Sequence, residues 1–191
     1  RATDYQSQEK IEVGITTRDT RVNALVNAVS GMSDYEKIVY FNQQLTTTNE
    51  YNTSSDLSSI DNDCLECISA LSGKTGTDGP VCEGYARAFK VLCDASDIPC
   101  VLVNGYAKNS SGSEGEAHMW NYVKLDENWY AVDVTWNDPV VQAGSDGAVS
   151  GYEGENWLLV GSQTEINGLN FEESHPAEKQ VSSTGIAFTN G

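Results

Sequence analysis

Apolar residues recur three and four positions apart over Arg18–Val29, at Val22, Leu25, Val26 and Val29, and predict a helix that Gly31 ends. Ser33-x-x-Glu36 then reads as a capping box opening a second helix, carried on by Tyr35, Ile38, Val39, Phe41 and Leu45. Residues 1–17 follow no clear period. Thr46–Ser59 is polar and reads as a loop, and Ile60–Leu71 reads as a short helix through Leu65, Ile68 and Leu71. A loop with Gly73, Gly76, Gly79 and Pro80 precedes an amphipathic helix from Cys82 to about Ala95, with Tyr85, Ala88, Phe89, Leu92 and Cys93 on one face.

The period then changes to that of strands, at Ile98–Tyr106, Ala117–Leu125, Trp129–Trp136 and Asn156–Val160. The stretches 107–116 and 138–155 read as loops, and the tail holds at most one more strand, around Gly185–Thr189. Helices first and strands afterwards imply an α+β fold with an antiparallel sheet. A chain of 191 residues suits one domain, 1–191, with a core over 60–160 and N-terminal helices over 18–46.

Charge narrows the partners. The balance of 11 basic against 28 acidic residues, −17, argues against nucleic acid and against anionic membrane surfaces. No apolar run is long enough to span a bilayer, so no membrane insertion is expected. Richness in Asn, Ser, Thr and Gly fits an extracellular or cell-surface bacterial protein.

Of five cysteines, Cys93 and Cys100 have apolar neighbours and read as small buried hydrophobes. Cys64-x-x-Cys67 has no second half for a zinc site, and the pairing of these four cysteines is open. Cys82 is different. It follows the glycine-rich loop at a helix start, where free N–H groups favour a thiolate and can hold an oxyanion. Glu83 and Gly84 follow it directly, Gly84 allowing a close approach to the helix start. His118 and Asp133 come later. If Asp126-Glu127 is a two-residue turn, Trp120 faces Asp133 and His118 faces Thr135, so His118 and Asp133 become diagonal neighbours on one sheet face. Thiol, imidazole and carboxylate are the parts of an activated nucleophile. His175, in Ser174-His175-Pro176, reads as a surface-loop histidine.

Gly79-Pro80-Val81-Cys82-Glu83-Gly84-Tyr85-Ala86, Ile98-Pro99-Cys100-Val101, His118-Met119-Trp120-Asn121 and Trp129 through Pro139 resemble, in that order, the nucleophile, strand, histidine and aspartate segments of the transglutaminase-like superfamily, in its bacterial papain-fold branch. The resemblance implies a papain-like, transglutaminase-core fold. It makes Cys82 the nucleophile, His118 the base and then acid, and Asp133 its orienting partner. Trp120, Glu83, Gly84, Trp136 and Asn62 are candidates around the substrate and oxyanion. Phe41-Asn42 stands where relatives often carry a histidine. No metal or other cofactor is implied, since Asp61-x-Asp63 lacks the rest of a calcium loop. The expected partner is a protein or peptide substrate. The activity is then amide hydrolysis through a thioester, with glutamine–lysine cross-linking or a non-catalytic surface module as the alternatives.

Overall fold

A computed structural model describes residues 7–52, 62–108, 115–138, 154–166 and 168–178, with the backbone alone at 62 and 63. The loop 139–153, the expected strand at 185–189 and the side chain of Asn62 lie outside the described residues. Six helices occur among those described: α1 (Gln8–Ala28), α2 (Asp34–Thr48), α3 (Cys67–Leu71), α4 (Cys82–Asp94), α5 (Val134–Asn137) and α6 (Phe171–Ser174). The strands are β1 (Cys100–Ala107), β2 (Glu116–Leu125), β3 (Asn128–Val132), β4 (Leu158–Val160), β5 (Glu165–Ile166) and β6 (Leu169–Asn170). Strands β1 to β4 form one antiparallel sheet in chain order, and β5 and β6 a separate pair.

α1 starts ten residues before the periodic stretch, because Ser7 caps it by accepting the Lys10 N–H. Its first turns carry the exposed Ile11, Val13 and Ile15, so no apolar face marks them as helix. The Ser33 capping box is present in full and opens α2, which runs to Thr48. The expected helix over 60–71 is broken instead, into a 3₁₀ turn (Asn62–Leu65) and α3.

α4 is the central helix. Tyr85, Ala88, Phe89, Leu92 and Cys93 pack against Ile38, Phe41 and Leu45 of α2 and against Val123 and Val132 of the sheet. Full burial of a side chain such as Phe89 contributes about 1.5–3 kcal/mol. The other sheet face carries a second cluster of Val103, Trp120, Tyr122, Ala131, Trp157, Val160 and Phe171. The sheet therefore lies between the helices and the C-terminal segment, in the layered α+β arrangement expected. No disulfide joins the five cysteines, all of which lie among the described residues.

The hairpin turns on Asp126-Glu127 with Leu125 opposite Asn128. Pairing stops at Asn121–Val132, however, and the chain leaves the sheet at Asp133. The expected strand to Trp136 is replaced by α5, because the Asp133 side chain caps a helix there by accepting the Trp136 N–H at 3.1 Å.

Candidate active site

Cys82 opens α4 behind Val81, which provides no side-chain cap. The first-turn N–H groups are thus left for other partners. Tyr51 supplies one: its hydroxyl is hydrogen-bonded to the Cys82 backbone N–H. Burial and then the nearby Cys82 raise the phenol well above its ordinary range, so it remains a protonated hydroxyl. The ring stacks on Tyr85 at 6.5 Å, and the Tyr85 hydroxyl is bonded to buried Asp138. Neighbouring Asn52 fixes the segment, with its N–H donating to the Pro80 carbonyl at 3.0 Å and its amide to Thr77 at 2.8 Å. Tyr51 is absent from the sequence reading because it sits in a polar stretch without period.

His118 reaches the thiol from β2. Asn121, three residues on, donates its amide to the Ala86 carbonyl of α4 at 3.0 Å, which sets strand against helix. His118 Nε2 lies 2.7 Å from Asp133 Oδ2, leaving Nδ1 for Cys82. Burial opposes charge on this imidazole. Attraction to Asp133 and hydrogen bonding to both Asp133 and Cys82 outweigh it and push the ring up to about 10. The predicted Cys82, His118 and Asp133 therefore meet, although Asp133 does so from a helix cap rather than from a strand.

The expectation of a surface His175 is overturned. Its side chain is 0% exposed, and its Nε2 lies 3.0 Å from the same Asp133 Oδ2 that His118 contacts. Its Nδ1 lies 2.8 Å from Ser174 Oγ. Phe171 stacks on the ring at 4.2 Å, with Trp136, Trp157 and Trp120 around it at 4.6, 5.1 and 5.3 Å. Burial lowers this imidazole, and the neighbouring His118 adds to that against the pull of Asp133. Asp133 is fully buried. Burial works against its charge, but the two imidazoles hold it well below the usual carboxylate range.

The cluster of His118, Asp133 and His175 has metal-ligand residue types. Its contacts of 2.7 and 3.0 Å are hydrogen bonds. Two ligands on one tetrahedral ion would stand about 3.3 Å apart.

The remaining candidates divide. Trp136 is half-buried and lies 5.9 Å from the His118 ring, forming a wall beside it. Trp120 is buried in the second cluster beside the Tyr122 hydroxyl, where it supports the histidines. Glu83 is engaged by Arg87, whose Nε donates to it at 2.8 Å. Gly84 is required by the chain itself: a Cβ there would come within 2.5 Å of the Cys64 carbonyl oxygen. Asn42, of the Phe41-Asn42 pair singled out in the sequence, accepts from the Asn137 amide at 2.9 Å and so braces α5.

The chain is similar to Kyphoscoliosis peptidase of Mus musculus, 36% identical over 66 residues, and to that of Homo sapiens, 35% identical over 66 residues. These segments cover 31% of this chain and 10% of either relative, so the chain spans about a tenth of their length. Among solved structures it is similar to a TGase (17% identity, TM-score 0.46, covering 70% of this chain and 34% of that one). It is also similar to the periplasmic domain of TgpA from Pseudomonas aeruginosa (19%, TM-score 0.42, 64% and 44%). The family model described as the transglutaminase-like superfamily matches residues 23–134, more than half of the chain and inclusive of Cys82, His118 and Asp133, and the chain belongs to that superfamily.

Proposed function

We propose that the protein is a cysteine-dependent acyl-transfer enzyme that hydrolyses amide bonds in a protein or peptide substrate, at the cell surface or outside the cell. The observation that carries this reading is His118, hydrogen-bonded to Cys82 and, at 2.7 Å, to a buried carboxylate. A buried, paired histidine against a helix-start thiol is the arrangement that activates a sulfur nucleophile.

His118 holds the proton of the Cys82 thiol. The sulfur adds to the substrate carbonyl carbon, and the carbonyl π pair moves onto oxygen, which accepts from the Tyr51 hydroxyl that the Cys82 N–H holds. The oxyanion collapses, the C–N bond breaks, and His118 gives its proton to the departing amine. The product is a Cys82 thioester. Water then adds to the thioester as His118 takes its proton, and the C–S bond breaks to release the acid. Asp133 keeps the imidazole oriented throughout. The acidic surface favours neutral or basic substrates.

The test begins with iodoacetamide at neutral pH, using Cys82→Ala and His118→Ala as controls. Cys82 is expected to label faster than an ordinary cysteine and to lose that advantage without His118. Labelling at the ordinary rate would refute the nucleophile. Supplying a glutamine donor with an amine probe then separates hydrolysis, which leaves the amine unincorporated, from cross-linking.

A further inference from the structure

We propose that His175 is a positioning residue of this site: it shares the Asp133 Oδ2 oxygen with His118 and thereby sets how much of the carboxylate's charge reaches the His118 imidazole. The proposal rests on the reading of Cys82 and His118 as the reacting pair.

The geometry assigns the protons. An ionised Asp133 offers only acceptors, so both imidazoles present N–H groups to Oδ2, at 2.7 Å from His118 and 3.0 Å from His175. The Trp136 N–H occupies Oδ1. With its Nε2 protonated, a neutral His175 accepts at Nδ1 from the Ser174 hydroxyl at 2.8 Å. The ring nitrogen takes that proton in preference to the Phe171 carbonyl, 3.1 Å from the same hydroxyl. Among the described residues, the titratable groups acting on His175 are Asp133 and His118; besides Ser174, the rings of Trp120, Trp136, Trp157 and Phe171 surround it. A cage of that kind is filled as well by a phenylalanine. An imidazole there bears a desolvation cost that only its two hydrogen bonds offset.

The fold also builds a dedicated route for this residue. Backbone hydrogen bonds lay residues 174–178 along β1: Lys108 N–H to Ser174 O at 2.8 Å, Tyr106 N–H to Pro176 O at 3.1 Å, and Glu178 N–H to Asn104 O at 2.9 Å. Gly105 lies beneath the segment, where a Cβ would come within 2.4 Å of the Pro176 oxygen.

The chain has two histidines, so nitrogen-15 spectra of the rings contain two imidazoles. In the unaltered protein His175 is expected to be neutral and protonated at Nε2 at pH 7; an Nδ1–H tautomer or a charged ring overturns the proposal. Removing one donor from the shared oxygen concentrates its charge on His118. His175→Phe is therefore expected to raise the His118 titration midpoint by about half to one unit, and His175→Gln, which keeps an N–H, to leave it near its original value. A midpoint that stays or falls in His175→Phe, or that moves alike in both variants, overturns the proposal. Iodoacetamide labelling of the same samples separates the two levels. If Cys82 of the unaltered protein labels at the ordinary rate, the nucleophile reading fails, while the ring spectra still decide whether His175 holds Asp133.

Discussion

Two histidines contact one carboxylate oxygen and are driven in opposite directions. His118, on the thiol side of the carboxylate, is pushed up to about 10, whereas His175, on the rear side, is lowered. Burial disfavours charge in both. The difference is what completes each shell: His118 has Cys82 on its other side, and His175 has aromatic rings and the charge of its counterpart. A carboxylate contact alone therefore does not define a histidine's role. In the proposed mechanism it yields one ring that moves protons and one that keeps its proton fixed.

The comparison is most severely tested by exchanging the acid for its amide. Asp133→Asn is expected to lower kcat of amide hydrolysis about 10⁴-fold, as is His118→Ala. A loss below about tenfold in either would remove His118 from the chemistry. Next in size is Tyr51→Phe. Loss of its hydroxyl beside the Cys82 N–H is expected to cost about 10²-fold in kcat with KM little changed, read from steady-state kinetics.

pH separates the two rings by sign. His118 is raised, so its contribution to stability is complete below about pH 6.5 and is lost as pH rises through about 10. His175 and Asp133 are both lowered, so theirs is complete above about pH 6.5 and about pH 4 respectively and is lost on acidification below those values. Denaturant midpoints measured from pH 4 to 10 should fall at both ends. Replacing His175 by Phe should flatten the acidic decline near pH 6 and, through the higher His118 midpoint, carry the alkaline decline further up in pH. The smallest effect starts from the rear side. Gly105→Ala places a methyl group against Pro176 and Trp120 and should cost about 1–3 kcal/mol in chemical denaturation. It should also raise the His118 midpoint in the direction expected for His175→Phe.

Much of the thiol side was legible in the sequence because its residues lie on periodic elements. The helix behind Cys82 has an apolar face at helical spacing, and the Asp126-Glu127 turn fixes the hairpin register that brings His118 toward Asp133. The departure at Asp133 was not legible, since Val132-Asp133-Val134 alternates as a strand does, and only the side-chain cap converts it to a helix start. His175 was hidden for a different reason. It stands in a short polar segment whose burial depends on β1, about seventy residues earlier, and Gly105 in the middle of that strand was its one local trace. Tyr51 was hidden likewise, held through Asn52 against the loop before the nucleophile.

The segment over Gly105 also imposes an order in time. Synthesis delivers Cys82, His118 and Asp133 well before residue 175, so a nascent chain holds these three groups while the Asp133 oxygen still lacks its second donor. The carboxylate is completed only when residues 174–178 have emerged and paired with β1. Maturation of the site is thus tied to the arrival of its last-made part, and a chain cut at residue 134, the end of the family match, would carry all three of those groups without ever reaching that state.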